Sequence, residues 1–400
     1  MGLPKRDIIF LKELYKNKIF GAGQIKKGYY GNMSYGYNRI RKLKKLGYVD
    51  SEPYVEGRQK VTEVYRITNK GITEIEIDNP REAYKNKPSD KYATYRQLLI
   101  NDVPVNFRHI ENQNNKNMND NYAWDWLDSR ETKESFSINR GDILSGSLYN
   151  NNTGERYAVY VPGSTQDEEK QIERHRNEID RHNVLRDNII FCTTTNLFKQ
   201  FRKMRPAGRS LKVLPFKEGI ALMYNLLTEP NQLLELYSKE MQINKNDIAE
   251  CPTIFSTHKA GNIHLVELLS NDTVMQNNIA KIYMTNKTQA PLNVLCWDTQ
   301  LKEIKFWIND ERIKLFPLKW IGSPLFKGID SSYRQLGRTR KLPESEKWKQ
   351  IGARVPPDLY LFIDTVKKHK ETTTSAIVTE ALKNSALYKQ YLNGEFNDLS

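Results

Sequence analysis

Between Tyr35 and Lys45 the chain sets an aromatic ring, an amide and a run of cations close together: Tyr35, Asn38, Arg39, Arg41, Lys42 and Lys45, with no acid from Ser34 to Leu46. Guanidinium and ammonium groups at that density neutralise phosphates, and Arg and Asn also carry the paired donors and acceptors that recognise base edges. Arg58 and Lys60 add two cations just downstream. Residues 1–80 hold 16 Lys and Arg against 9 Asp and Glu, so half of the formal net charge of +14 lies there. Other chemistry is thinner. His175 and His182 are seven apart on one charged run, beside Arg174, Arg176 and Arg181; like charge disfavours a bound cation, so a solvated helix is expected. The six histidines form no HxH pair, no GxxxxGK[ST] loop is present, and none of the 22 tyrosines has a nucleophile's context. Cys192, Cys251 and Cys296 are far apart without CxxC spacing, which predicts buried thiols rather than disulfides or a zinc ribbon.

The elements that must carry these residues follow from length and patterning. Four hundred residues at roughly 150 per domain predict two or three domains. With 38% hydrophobic and 28% charged residues the composition is that of a chain able to bury cores, neither a disordered tail nor a membrane protein. No run approaches the 18 or so apolar residues of a spanning helix, and the opening MGLPKRDIIF is not signal-like, so a cytoplasmic protein without membrane contact is expected.

Residues 5–20 have one apolar helical face (Ile8, Leu11, Leu14, Tyr15). A short AGQIKKGYY segment follows, then a third helix from Ser34 to Leu46, with Ile40, Leu43 and Leu46 inward and Asn38, Arg41, Lys42 and Lys45 outward. Gly47 is placed to close it. The alternation after Val49 predicts a hairpin turning at Glu56-Gly57. Three helices and a strand pair, with the phrase RIRKLKKLGYVD, resemble a winged helix-turn-helix over residues 1–80. That likeness implies double-stranded DNA binding, with the third helix in the major groove and Arg58 and Lys60 on the wing.

Toward the other end, residues 331–346 read as a basic linker, and residues 347–390 as a strand (IGARV), a helix, a Thr-rich cap and a second helix. This resembles a ribbon-helix-helix domain, which implies a homodimer and a two-stranded ribbon presenting Gln350 and Arg354 to DNA, while Gly352 has no side chain to read a base.

Residues 90–330 alternate strand-like and helix-like runs: a helix ending at Tyr95 to Ile100, a strand from Gly141 to Tyr149, a turn at Asn150 to Gly154, a returning strand to Val161, and then helix, strand, helix, strand, helix to Leu227. Trp124-Asp125-Trp126 is expected to be a packing cluster. The runs IHLVELL, PLNVLCW and EIKFWI are assigned to an extension of the same sheet. Behind a winged helix, and with YRQLLINDVPVNFRH, this order resembles the replication-relaxation family of plasmids and integrative elements, whose central part is similar to a restriction-endonuclease-like fold. The fold class so implied is multidomain α+β. A nuclease of that kind needs an Asp at the start of one hairpin strand and an acid on the next, often with a Lys nearby, to hold a divalent ion such as Mg. Asp142 occupies the first position, and the second strand, RYAVYVPG, supplies no acid. Glu155 stands before it and Glu173 or Glu178 on the helix beyond. The expectation is therefore a catalytically degenerate core with no cofactor. The resemblance implies a sequence-specific DNA-binding protein at a replication or transfer origin, in company with replication or conjugation proteins. A metal-dependent relaxase or nickase using Asp142, and a transcriptional repressor, are the alternatives.

Overall fold

The computed structural model describes residues 2–326 apart from 31–32, 57–58, 77–87, 115–121, 164–167, 183, 205, 207–209, 230, 245, 247, 250–255, 259–262, 286–288, 302–303, 305–309 and 322. Backbone contacts divide the chain between Tyr333 and Arg334, and every described residue lies in the first part. The expected linker 331–346, the expected ribbon-helix-helix 347–390, Gln350, Arg354 and Arg58 fall outside the described residues. What is described is a mixed α+β protein with three sheets. No helix among the described residues is long and apolar enough to cross a membrane.

The chain begins as the patterning predicts. Helix α1 (Lys5–Asn17), a short α2 (Ala22–Ile25) running into a π-helical turn (Lys26–Tyr30), and α3 (Met33–Lys45) precede a hairpin of β2 (Val49–Glu56) and β3 (Gln59–Ile67). A two-residue β1 (Phe20–Gly21) adds to β3 and gives the sheet order β1-β3-β2. Phe10, Leu11 and Leu14 of α1 meet Ile40 and Leu43 of α3 in one apolar cluster. Leu46, expected inward, is exposed, because the helix ends one residue earlier. Gly47 at φ +80 lets the amides of Gly47 and Tyr48 reach back to the carbonyls of Lys44 and Leu43, the reciprocal pair of a Schellman cap. After α4 (Asn69–Glu74) comes the long α5 (Lys91–Asn114).

Helix α5 corrects the first expectation. Its 24 residues run through Pro104 instead of ending at Ile100. An interior proline costs about 3 kcal/mol, whereas each fully buried Val, Leu, Ile or Phe returns about 1.5–3 kcal/mol. Leu98, Leu99, Ile100, Val103, Val105, Phe107 and Ile110 are all buried, so tertiary burial overrides the break. The helix serves two cores: Val105 belongs to the N-terminal cluster and Val103, Phe107 and Ile110 to the central one. Polar ties add to this, since Gln24 Nε2 donates to Leu98 O and Asp102 Oδ1, each at 2.7 Å.

Strands β4 (Trp124–Asp128), β5 (Gly146–Asn150), β6 (Arg156–Tyr160), β7 (Asp187–Cys192) and β8 (Ser210–Pro215) form the second sheet in chain order. The first three are antiparallel, and β7 and β8 run parallel to β6. Helix α6 (Ser129–Ser135) follows β4, and α7 (Glu168–Arg181) and α8 (Thr195–Phe201) make the parallel crossovers. The Trp cluster is a strand, with Trp124 and Trp126 buried on one face and Asp125 exposed on the other. Gly154 closes the β5–β6 turn at φ +74, a left-handed conformation that favours glycine.

The later strands are not an extension of that sheet. Beyond α9 (Phe216–Leu227) and α10 (Gln232–Met241), strands β9 (Ile248–Ala249), β10 (Ser256–His258), β11 (Ile263–Glu267), β12 (Leu292–Trp297) and β13 (Ile313–Leu318) make a third sheet, and α11 (Thr273–Met284) joins β11 to β12. Most of EIKFWI falls outside the described residues. Three antiparallel strands followed by two parallel ones is again the plan, so the topology of the second sheet is repeated. Apolar residues of α5 and α9 and of both sheets share one cluster, which is why Ile220, Ala221, Leu222, Met223 and Tyr224 are buried around the whole circumference of α9. The outer face of the second sheet packs on α7 and α8, and that of the third on α11. Where the sheets meet, Lys212 of β8 lies 3.7 Å from both Glu267 and Asp272; burial alone would lower its pKa, but those carboxylates outweigh it and hold it raised. Cys192 and Cys296 are buried free thiols, as expected, and Cys251 is outside the described residues.

Candidate functional site

The α3 residues divide into two groups. Tyr35, Asn38, Arg41, Lys42 and Lys45 are exposed, and among the described residues no ion pair or side-chain hydrogen bond engages Arg41, Lys42 or Lys45. Tyr37 is also exposed and holds the Lys26 ammonium 3.1 Å above its ring. Arg39 is placed differently from the expectation. Its guanidinium turns back to α1 and pairs with Asp7, a carboxylate only 1% exposed that also accepts from Tyr30 Oη at 3.0 Å. Position 39 falls on the edge of the buried stripe set by Ile40 and Leu43, so this cation ties two helices together. On the hairpin, Lys44 donates to Ser51 Oγ at 2.6 Å and Arg66 bridges Asp50 and Glu52. Lys60 lies in β3 opposite Val55. The uncommitted cations of the described N-terminal block are thus concentrated on α3.

Asp142 is not at the start of a strand. It sits in a turn four residues before β5, and residues 143–144 bond to a helix rather than to a neighbouring strand: Glu178 of α7 accepts the amides of Ile143 at 2.6 Å and Leu144 at 2.9 Å. A side-chain carboxylate thereby replaces the ladder the alternation predicted. This contact brings Asp142, Glu178 and His182 together, with one ligand atom of each within 4.8 Å of the others. His182 Nε2 is 3.2 Å from Asp142 Oδ2 and 3.7 Å from Glu178 Oε1. Their side chains are 3–8% exposed. Burial raises the Glu178 carboxyl, but His182 and the two amides outweigh it and hold it below the usual carboxylate range. Asp142 Oδ2, His182 Nε2 and the Tyr160 hydroxyl are buried, and beyond the close approach of the first two to each other none makes a hydrogen bond of good geometry. Burial first, and Glu178's charge second, push the Tyr160 phenol well up.

Cations surround this acidic centre. Arg181 pairs with Asp142 Oδ1, Arg174 donates to Gly141 O, and Lys133 donates to Asp142 O at 2.6 Å. Burial lowers the Lys133 ammonium, with Glu178 and Asp142 opposing. Two carboxylate oxygens and an imidazole nitrogen are a donor set that suits a small divalent cation, and Asp142 Oδ2 and His182 Nε2, which make no well-formed hydrogen bond, are two atoms such an ion would satisfy.

The solvated-helix expectation holds for the charged face of α7, where Glu173, Arg174, Arg176 and Arg181 are exposed, but not for its two histidines. His175 is 3% exposed, its ring edge-on to Tyr160 and Phe201, and burial lowers its pKa to about 4. His182 points into the acid cluster. The signal available in the sequence was the four-residue spacing of Glu178 and His182, which puts both on one helix face; the seven-residue spacing of the two histidines drew attention elsewhere. Lys133 and Tyr160 had no local signal, because they come from other elements.

Comparison with protein-family models, with curated proteins and with solved structures finds no match to this chain.

Proposed function

We propose that this chain is a double-stranded DNA-binding protein of a plasmid or other mobile element, reading a replication or transfer origin through an N-terminal winged helix. The observation that carries this is the exposed row Arg41, Lys42 and Lys45 on α3, which no carboxylate of the described residues neutralises. Tyr35 and Asn38 beside it supply a stacking surface and base-edge donors. The resemblance of the C-terminal segment adds a ribbon-helix-helix dimer with Gln350 and Arg354 as a second reader, and a cytoplasmic location accords with both. A repressor would use the same chemistry at an operator. Replacing Arg41, Lys42 and Lys45 with alanine is expected to weaken specific binding in fluorescence anisotropy. The slope of log K against log salt should become shallower by about 0.9 for each phosphate that the protein no longer neutralises. An unchanged slope would rule out α3 as the DNA face.

A second reading has its own support. The Asp142–Glu178–His182 cluster favours a metal-dependent nickase built on a restriction-endonuclease-like core. Asp142, Glu178 and His182 would hold the ion, which supplies Lewis-acid polarisation of a phosphodiester and a water of lowered pKa. Arg174 and Arg181 would orient the phosphate. Calorimetry with Mn²⁺ is expected to show binding that weakens at least about tenfold in Asp142→Asn and in His182→Gln, since losing even a group that only supports a ligand costs about that much. Metal-dependent conversion of supercoiled origin plasmid to open circles, abolished in the same variants, decides for the enzyme. Metal binding without nicking leaves the DNA-binding reading with a structural ion.

A further inference from the structure

The exposed surface of α3 changes chemistry along its length. Its first half presents Ser34, Tyr35, Tyr37 and Asn38, all uncharged, and its second half presents Arg41, Lys42, Lys44 and Lys45. Arg39, which follows Asn38 in the chain, is turned back onto Asp7, so Arg41 is the first cation that α3 holds out to solvent. Two rings of the first half are anchored while half exposed: Tyr35 at 46% and Tyr37 at 48%. Tyr35 stands edge-on to the buried Tyr30 with centroids 6.0 Å apart, and the Tyr37 ring lies against the ammonium of the buried Lys26. Gly36 permits this. A Cβ there would stand 3.3 Å from Lys26 Cγ and from Tyr30 Cβ, tighter than ordinary van der Waals contact, so glycine lets the π-helical turn come up beneath the start of α3.

At about 3.6 residues per turn, Asn38 falls on the helix surface between Tyr35 and Tyr37. Among the described residues its side chain makes no hydrogen bond. A recognition helix presents its N-terminal residues to base edges, and here those residues are an amide and two apolar rings. An Asn amide makes a two-point contact with adenine N6 and N7, apolar surface packs on the thymine methyl, and guanine is read by Arg or Lys. The cation next to Asn38 in the chain is withdrawn to Asp7, and the remaining cations stand at the helix end, where their charge suits phosphates. The first half of α3 is therefore equipped for A·T pairs.

We propose that α3 selects A·T pairs in the major groove: Asn38 reads an adenine, and Tyr35 and Tyr37 pack on the methyl groups of neighbouring thymines. Arg41, Lys42 and Lys45 serve the adjacent phosphates. This selectivity rests on the DNA-binding reading above, to which it adds the base pairs that the helix discriminates.

The full chain and its Asn38→Ala variant are each used to enrich duplexes from a random-sequence pool, and the positions at which the two selections differ are those that α3 reads. The parent is expected to select A·T there. Two base analogues that change only the major groove are then scanned along the enriched duplex: uracil for thymine removes the methyl, and 7-deazaadenine for adenine removes the N7 acceptor. Fluorescence anisotropy is expected to show binding about fourfold weaker for a lost methyl contact. For 7-deazaadenine the loss should be at least about fivefold, the lower end of what a bidentate pair discriminates. The uracil effect should vanish when Tyr35→Ser and Tyr37→Ser are combined, and the 7-deazaadenine effect in Asn38→Ala. G·C at the differing positions, selections that do not differ, or an affinity that either analogue leaves unmoved overturns the A·T assignment and leaves DNA binding itself in place. Enrichment of no duplex at all overturns both. The analogue scan is made on the unaltered protein, so it decides even where a variant fails to fold.

Discussion

His175 and His182 stand two turns apart on α7 and have opposite environments. His182 faces two carboxylates, whereas His175 is held among Tyr160 and Phe201 with Nδ1 2.6 Å from Gln171 O. Burial of His175 depresses its pKa to about 4 from 6.5. The unfolded chain therefore binds the extra proton first as pH falls, so stability drops between about pH 6.5 and 4 and is unaffected by this group above that window. The loss is on the order of 3 kcal/mol when the group is fully titrated. In chemical denaturation, His175→Phe is expected to give a shallower fall in stability over that range. A variant whose pH dependence matches the parent would show that other groups govern acid unfolding.

Among the elements, α1 and α3 are joined by a buried charge pair, and α5 joins both of them to the central body. Arg39 is where sequence reading and structure diverge most usefully, because a cation within a basic run is placed inward by a carboxylate 32 positions earlier. Removing one partner of a buried pair leaves an uncompensated charge and costs about 3–5 kcal/mol. Arg39→Met is accordingly expected to lower thermal stability sharply, and Asp7→Leu combined with Arg39→Met to recover most of it. An Arg39 variant of parental stability and weaker DNA affinity would instead make this residue a DNA contact. The acid cluster has the same origin: α7 meets the 141–145 turn through Glu178, a contact that no periodicity encodes.

Across the whole molecule, two sheets of the same strand plan share the apolar layer containing α9, with the N-terminal block held against them through α5. The proposed C-terminal pair would add a second DNA reader, and two linked readers raise apparent affinity through effective concentration. One strand and two short helices cannot close a core alone, so deletion of residues 346–400 is expected to yield a monomer in light scattering that still binds DNA, more weakly, through α3. A persisting dimer would put the interface elsewhere.

Local pattern was enough to determine most elements. The stripes of α1 and α3, the Gly47 stop, the hairpin alternation and the β7-α8-β8-α9 succession are each encoded within a few residues by periodicity and capping, and the structure places them within a few positions of where those signals fall. Tertiary structure decided the rest. It carried α5 through Pro104, turned Arg39 inward and His175 into the core, separated the third sheet from the second, and brought Asp142, Glu178, His182 and Tyr160 together. In each case the deciding energy is burial or charge pairing with residues far along the chain, and periodicity within one segment carries no record of such partners.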